Sequence, residues 1–365
     1  MGFNCGIVGL PNVGKSTLFN ALTASAAAAA ANFPFCTIEP NVGRVPVPDP
    51  RLETIARIAK SAKVVPTQLE FVDIAGLVEG ASRGEGLGNQ FLGHIREVDA
   101  ILHLLRCFSD PDVVHVGGTI EPLRDAEIIE TELMLADLES LERRLVGLVK
   151  KARGGDRDAK ESLAVAERAA DALRAGRPAR SVSVADEERK AFRALQLLTA
   201  KPVLYVCNVE EADAADGNDL TRTVAARAAE EGAGAVVISA RIEAEVAELP
   251  PADRSEYLAS LGLEETGLSR VIHAGYRLLD LITFFTAGPK ETRAWTLARG
   301  SKAPAAGGVI HSDFERGFIR AETIAYDDFV TLGGEQAARD AGRMRSEGRD
   351  YVVADGDILL FRFNV

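Results

Sequence analysis

The chain of 365 residues is longer than one ordinary core requires, and with 47% apolar residues it can fill two or three domains. A formal net charge of -12 and a pI near 5.1 exclude a general nucleic-acid coat and leave a local basic patch as the route to RNA. The four cysteines, Cys5, Cys36, Cys107 and Cys207, form no C-x-x-C pair, and there is neither a signal-type start nor an apolar run of the roughly 18 residues that span a membrane, so zinc, disulfide and secreted classes give way to a reducing cytoplasm.

Phe3 to Gly9 reads as a short buried strand, and Lys15 to Thr23 has helical spacing with Leu18 and Leu22 on one side. Between them, Gly9-Leu10-Pro11-Asn12-Val13-Gly14-Lys15-Ser16 matches G-x-x-x-x-G-K-S in the strand-turn-helix setting that gives the motif its meaning. Backbone N–H groups close around phosphates there, the helix N-terminus adds favourable potential, Lys15 supplies a cation, and Ser16 offers a hydroxyl to Mg²⁺. The candidate nucleotide-binding residues at this end are Asn12, Val13, Gly14, Lys15, Ser16 and Thr17. The alanine run Ala26 to Ala31 extends or fringes the first helix. In Asn32 to Thr37, the Thr37 hydroxyl either completes the Mg²⁺ shell or is an ordinary loop group, and the neighbouring Cys36 is either a redox-sensitive thiol or a buried inert one.

A second strand is expected at Leu69 to Ile74, and it runs into Asp73-Ile74-Ala75-Gly76. This D-x-x-G gains its force from the P-loop upstream: Asp73 can hold Mg²⁺ through water, and the Gly76 N–H can bond the γ-phosphate and release it on hydrolysis. Gly80 to Gly88 is glycine-rich enough for a mobile switch, though glycines also serve turns. Further strands are expected at Ala100 to Cys107, Pro202 to Cys207 and Ala235 to Ile238. Apolar strands separated by helices predict an α/β fold with a doubly wound, mainly parallel sheet.

Between about Asp125 and Leu195 the alternation stops. Met134, Leu138, Leu141, Leu145 and Leu148 recur at coiled-coil spacing, Gly154-Gly155-Asp156 signals a turn, and Leu163, Ala166, Ala170 and Leu173 repeat the pattern. This predicts an inserted antiparallel helical hairpin. Arg143, Arg144, Lys150, Lys151, Arg153 and Arg157 gather near its tip, either as a solvated face or as a surface for RNA phosphates. Past Leu281, a strand at Thr292 to Leu297 and alternation through Tyr351 to Phe363 predict a compact α+β domain.

Taken together, "MGFNCGIVGLPNVGKSTLFNALT", "NFPFCTIEPN", "FVDIAGLVEGASRGEGLGNQFL" and "EGRDYVVADGDILLFRFNV" resemble the YchF-type Obg-like ATPases, translation-factor-class P-loop proteins, over the whole chain. The resemblance implies a P-loop NTPase domain at 1–124 and 196–280, a helical coiled-coil insertion at 125–195, and a C-terminal TGS (β-grasp-like) domain at 281–365. It also implies ATP hydrolysis, association with the ribosome or its large subunit, and a link in some members to oxidative-stress responses; a low intrinsic rate is expected from Leu77. A cytoplasmic monomer is the expected form. The alternatives are a GTPase, or a slowly hydrolysing ATP-gated module that binds RNA or ribosomes.

"LYVCNVEEAD", Leu204 to Asp213, carries the base question. Related GTPases select guanine with Asn-Lys-x-Asp, whose Asp accepts two hydrogen bonds from the ring N–H and the exocyclic amine. Here Asn208 is kept, Val209 stands for Lys and Glu211 for Asp. The extra methylene displaces the carboxylate by about one C–C bond, more than paired hydrogen bonds tolerate. Guanine selection is therefore lost unless the backbone moves, whereas family members with Asn-x-x-Glu prefer ATP. Glu211 as a mere helix cap is the alternative. Ser239-Ala240 resembles the remaining base-side loop. Leu77 occupies the place of the water-orienting Gln of Ras-like enzymes, which leaves His115, in "SDPDVVHV", as the candidate catalytic group or else a structural histidine. Asn12 matches the asparagine that related enzymes set beside a K⁺ ion, so the resemblance allows K⁺ next to Mg²⁺.

Overall fold

The computed structural model of the chain describes residues 3–30, 42–74, 87–110 and 118–364. Two compact units are formed, one from Asn4–Gly43 and Glu70–Gly275, the other chiefly from Arg44–Leu69 and Tyr276–Val365. In chain order the elements begin with β1 (Asn4–Val8), α1 (Lys15–Ala30), β2 (Val42–Pro46), α2 (Pro50–Ala59), β3 (Val64–Val65), β4 (Gln68–Asp73), α3 (Leu87–Glu97) and β5 (Ala100–Arg106). They continue with α4 (Pro122–Arg153), α5 (Arg157–Arg174), α6 (Arg189–Ala194), β6 (Val203–Asn208), α7 (Asp219–Glu231), β7 (Gly234–Ile238), α8 (Ala240–Glu248), α9 (Pro251–Ser260) and α10 (Gly267–Leu278).

The larger unit is built on a sheet in which β4, β1, β5, β6 and β7 run parallel in that order, with β2 outside β4. Every residue of β5 and β6 is buried, which is why they read as mostly apolar runs rather than alternating ones. The five strands expected from sequence each lie within one residue of those observed, and α1 runs on through Ala30, so the alanine run extends it. Register matters most at one edge. Ile7 lies opposite Asp73, Val8 opposite His103, Arg106 opposite Asn208 and Asn208 opposite Ile238, so the carboxyl ends of all five strands meet where an open α/β sheet binds its ligands.

The predicted hairpin forms from α4 and α5. Gly155, at a φ of 91°, makes the turn that a residue with a Cβ adopts only under strain, and the Asp156 side chain accepts from the Ala159 N–H at 3.0 Å to start α5. Leu141 packs on Val165, Ala166, Ala169, Ala170 and Leu173, where the small alanines let the helices approach closely, and Met134, Leu138, Leu145 and Leu148 flank that seam. At its base the hairpin is bound to the sheet by polar groups. The Asp137 carboxylate accepts from the N–H groups of Leu198 (2.7 Å) and Thr199 (2.8 Å), immediately before β6. Arg180, just past α5, pairs with Glu130 of α4 and with Glu231 of α7.

The smaller unit adds β8 (Leu281–Thr286), β9 (Thr292–Ala298), α11 (Ala303–Ile310), α12 (Ser312–Arg316), β10 (Phe318–Ile324), α13 (Tyr326–Leu332), α14 (Glu335–Asp340), β11 (Arg345–Glu347) and β12 (Ile358–Phe363). Its mixed sheet has the order β11-β10-β12-β8-β9-β3. The adjacent Phe284 and Phe285 point to opposite faces, as strand geometry demands: Phe284 joins Leu297, Leu359 and Phe361, and Phe285 joins Leu52, Ile55, Phe329 and Ile358. Helix α2 therefore covers the second face, started by an Asp49 cap and Pro50 in its first turn. The alternation read from Tyr351 to Phe363 is a strand only from Ile358, because Gly356 turns the chain at a φ of 91°.

Candidate functional site

At the carboxyl edge of the parallel sheet the P-loop wraps from β1 into α1, with positive φ at Asn12 (64°) and Gly14 (94°). A Cβ on Gly14 would stand 2.4 Å from Asn208 Nδ2, so this glycine lets the base-side asparagine close on the phosphate loop. Asn208, 4% exposed at the end of β6, donates from Nδ2 to the Val13 carbonyl (2.9 Å) and accepts at Oδ1 from the Ala240 N–H (2.9 Å). One buried amide thus ties the P-loop, β6 and the start of α8 together, each bond made without water competing for it.

Lys15 Nζ donates to the Ile74 carbonyl at 2.6 Å and lies 3.6 Å from Asp73 Oδ1, an ion pair rather than a hydrogen bond. Burial pushes the Lys15 ammonium below its usual range while Asp73 opposes the shift. Asp73 Oδ1 is buried and has no hydrogen-bond partner among the described residues.

On the base side Val209 is buried, and its N–H donates to the Ile238 carbonyl at 2.8 Å. Glu211 opens a 3₁₀ turn (Glu211–Asp213), and its Oε1 lies 2.8 Å from Arg241 Nε, so the carboxylate is engaged by α8. Ser239 Oγ is buried without a hydrogen-bond partner among the described residues.

These segments border one cavity of about 1030 Å³, large enough for a nucleotide. Asn12, Gly14, Lys15, Ser16 and Thr17 line one end, and Asn208, Val209, Glu211, Ser239 and Ala240 the other. Val13 instead turns its side chain into the core and contributes its carbonyl to Asn208. Thr37, Gly76 and His115, together with Cys36 and Leu77, lie outside the described residues; of Gly80 to Gly88, Leu87 and Gly88 are described, at the start of α3.

A third wall, Phe108, Ser109 and Asp110, was not singled out from sequence. It is wound around Arg106, which is 1% exposed: the guanidinium lies 4.6 Å from the Phe108 ring centre and donates to the carbonyls of Phe108 and Asp110, both at 3.2 Å. The signal was an arginine closing a mostly apolar strand, with an aromatic residue two positions later. Cys5, Cys107 and Cys207 are all buried, and burial pushes the Cys5 thiol up to about 12. The basic cluster on the hairpin divides. Arg144, although exposed, is tethered, donating to the carbonyls of Ala194 (3.2 Å) and Leu195 (2.7 Å), and Lys150, Lys151 and Arg153 are exposed as well.

Two family models match the chain. One, described as a 50S ribosome-binding GTPase, covers residues 4–151, and the C-terminal YchF model, described as a protein of unknown function, covers residues 281–364. The ribosome-binding ATPase YchF of Escherichia coli O157:H7 is 56% identical over 365 residues, spanning 100% of both chains. The protein of the same name from Bacillus subtilis (strain 168) is 52% identical over 367 residues, again spanning 100% of both. A solved structure of the Schizosaccharomyces pombe YchF GTPase matches with a TM-score of 0.89 and 38% identity, covering 99% of this chain and 98% of that one.

Proposed function

The chain belongs to the YchF family, and on that footing we propose that it is a Mg²⁺-dependent P-loop ATPase that prefers ATP over GTP and binds the ribosome through its large subunit. The observation that carries the substrate choice is the base side of the cavity: Val209 and Glu211 stand where a guanine-selecting enzyme has Lys and Asp, and Glu211 is already paired with Arg241. The name of the S. pombe relative favours GTP instead.

A divalent ion fits the residues present. Asp73 Oδ1 is a buried oxygen with no hydrogen-bond partner among the described residues, and Ser16 brings a hydroxyl to the cavity, donors of the hard type that Mg²⁺ takes. Thr37 joins them in this proposal, and K⁺ beside Asn12 belongs to it as an optional second cation. A divalent ion held by Asp73 and Ser16 would supply neutralisation of the phosphate charge. The chain's own part begins with Lys15. A triphosphate is a stronger acceptor than a carbonyl, so Lys15 gives up Ile74 for the terminal phosphates. That exchange releases the backbone just ahead of Gly76, whose N–H takes the γ-phosphate, and so couples nucleotide state to the segment beyond. Asn208 holds the purine edge while backbone groups at Ser239 and Ala240 close the base side.

His115 orients the attacking water in this scheme, since Leu77 has no polar atom with which to do so. His115→Ala is expected to lower turnover on the order of a hundred-fold while ATP affinity is retained. Measured turnover equal to that of the unsubstituted protein would remove His115 from the mechanism.

The proposal divides the chain into nucleotide-binding (1–124 and 196–280), coiled-coil (125–195) and TGS (281–365) domains acting as a cytoplasmic monomer. No helix among the described residues is long and apolar enough to cross a membrane. The exposed Lys150, Lys151 and Arg153 form the RNA-facing tip, so replacing all three by Glu is expected to reduce co-sedimentation with ribosomes several-fold at low salt. Undiminished pelleting would return the tip to a solvated surface. Phosphate release from ATP, measured with and without ribosomes, tests the function as a whole: a stimulated rate is the expected result, and no hydrolysis in either condition would sink it.

A further inference from the structure

We propose that Arg241 is a specificity-determining positioning residue, which holds the Glu211 carboxylate against α8 and thereby withdraws it from a guanine edge. The proposal rests on the ATP-preferring reading of the same cavity. Arg241 is the second residue of α8, and its Nε lies 2.8 Å from Glu211 Oε1 and 3.5 Å from Glu245 Oε1. Glu245 in turn accepts a hydrogen bond from the Tyr257 hydroxyl on α9. The guanidinium is therefore braced by a residue of its own helix that α9 holds in turn, and Glu211 and Arg241 border the cavity as a pair.

The two purines ask different things of this group. Guanine presents the ring N–H and the exocyclic amine side by side, two donors that need a carboxylate with both oxygens free. Adenine presents one amine donor and a ring-nitrogen acceptor, and a bare carboxylate facing that acceptor is repelled. To serve guanine, Glu211 must leave or share Arg241, and its loop must also shift to take up the extra methylene. Adenine demands no such exchange. The backbone around Glu211 reinforces the difference, because the Ala240 N–H, which could otherwise meet the guanine carbonyl, already donates to Asn208 Oδ1 at 2.9 Å. The nearby Ser239 hydroxyl is buried and without a partner among the described residues.

The test compares Arg241→Gln, Arg241→Lys and the double variant Arg241→Gln with Glu211→Ala by titration with fluorescent analogues of ATP and GTP, reading the ratio of Kd for GTP to Kd for ATP. The Arg241 side chain is 78% exposed and its substitution leaves the core intact. An exposed ion pair shifts an equilibrium by roughly two- to five-fold, so Arg241→Gln is expected to lower the ratio by about that much, and Arg241→Lys to restore most of it. In the double variant the gain for GTP disappears, since the freed carboxylate is gone. An unchanged ratio in Arg241→Gln, or a drop that persists in the double variant, overturns the role. The unsubstituted protein judges the ATP reading separately: if it prefers GTP, that reading fails, while the change on Arg241→Gln still decides what Arg241 does.

Discussion

Arg180→Ala is expected to lower the stability of the larger unit by about 3–5 kcal/mol, read from urea denaturation followed by circular dichroism at neutral pH. Arg180 sits between Glu130 and Glu231, with its Nη2 3.1 Å from Glu231 and closer still to Glu130, and the three side chains are 14%, 9% and 15% exposed. Tyr205 donates to Glu231 at 3.0 Å, and Arg227 completes the cluster. Removing the central cation strands the Glu130 carboxylate away from water and leaves Glu231 to Arg227 and Tyr205 alone, which costs far more than an exposed pair is worth. Restoring neutrality with Glu130→Gln and Glu231→Gln in the Arg180→Ala background is expected to recover part of the loss. His103, whose ring centre is 5.8 Å from that of Tyr205, brings no compensating charge, because burial pushes its pKa down to about 3.

The pH dependence has a definite sign. Burial works to raise the Glu231 carboxyl, but hydrogen bonds from Arg227, Arg180 and Tyr205 outweigh it and hold the group below the usual carboxylate range. A depressed folded value contributes stability that is fully present above about pH 5 and is lost as pH falls through that value. The gap between Arg180→Ala and the unsubstituted protein therefore closes in acid. A gap of constant size from neutral pH down to about pH 3 would exclude the ionic account.

Gly14→Ala is expected to weaken binding of both ATP and GTP on the order of a hundred-fold or more, measured by equilibrium titration. Two effects add. The position has a φ of 94°, and the new Cβ would fall 2.4 Å from Asn208 Nδ2, forcing the asparagine off Val13 and Ala240. Gly155→Ala separates strain from collision, since Gly155 has a φ of 91° but no atom within 4 Å of an added Cβ. That variant is expected to lose hairpin stability of about 1 kcal/mol with nucleotide affinity unchanged. Equal nucleotide affinities for the two variants would show that the contact with Asn208 carries nothing.

The phosphate loop was legible because its chemistry leaves little freedom: only glycines permit the approach at Gly14, and only a lysine and a hydroxyl serve at Lys15 and Ser16. The parallel strands were legible because burial on both faces writes continuous apolar runs, and the hairpin because Met134 to Leu148 repeat at a fixed spacing. Partnership in space was harder to read. Leu52 and Ile55 belong to a helix whose apolar face covers Phe285, far away in sequence, and β3 is too short at Val64–Val65 to announce the β9 it joins. Arg144 and Lys150 look alike as charges in a cluster, yet only the fold supplies the Leu195 carbonyl that tethers one of them. The Phe108 wall depends likewise on a buried Arg106 that pattern alone assigns no role.

The central claim is that an altered base side on an intact phosphate loop makes this a protein that works on ATP. Measuring kcat/KM for ATP and for GTP on the same purified protein, with Mg²⁺ present, tests it directly. The expected result is a value for ATP at least as large as that for GTP. A clear preference for GTP would contradict the account at Val209 and Glu211, where it begins.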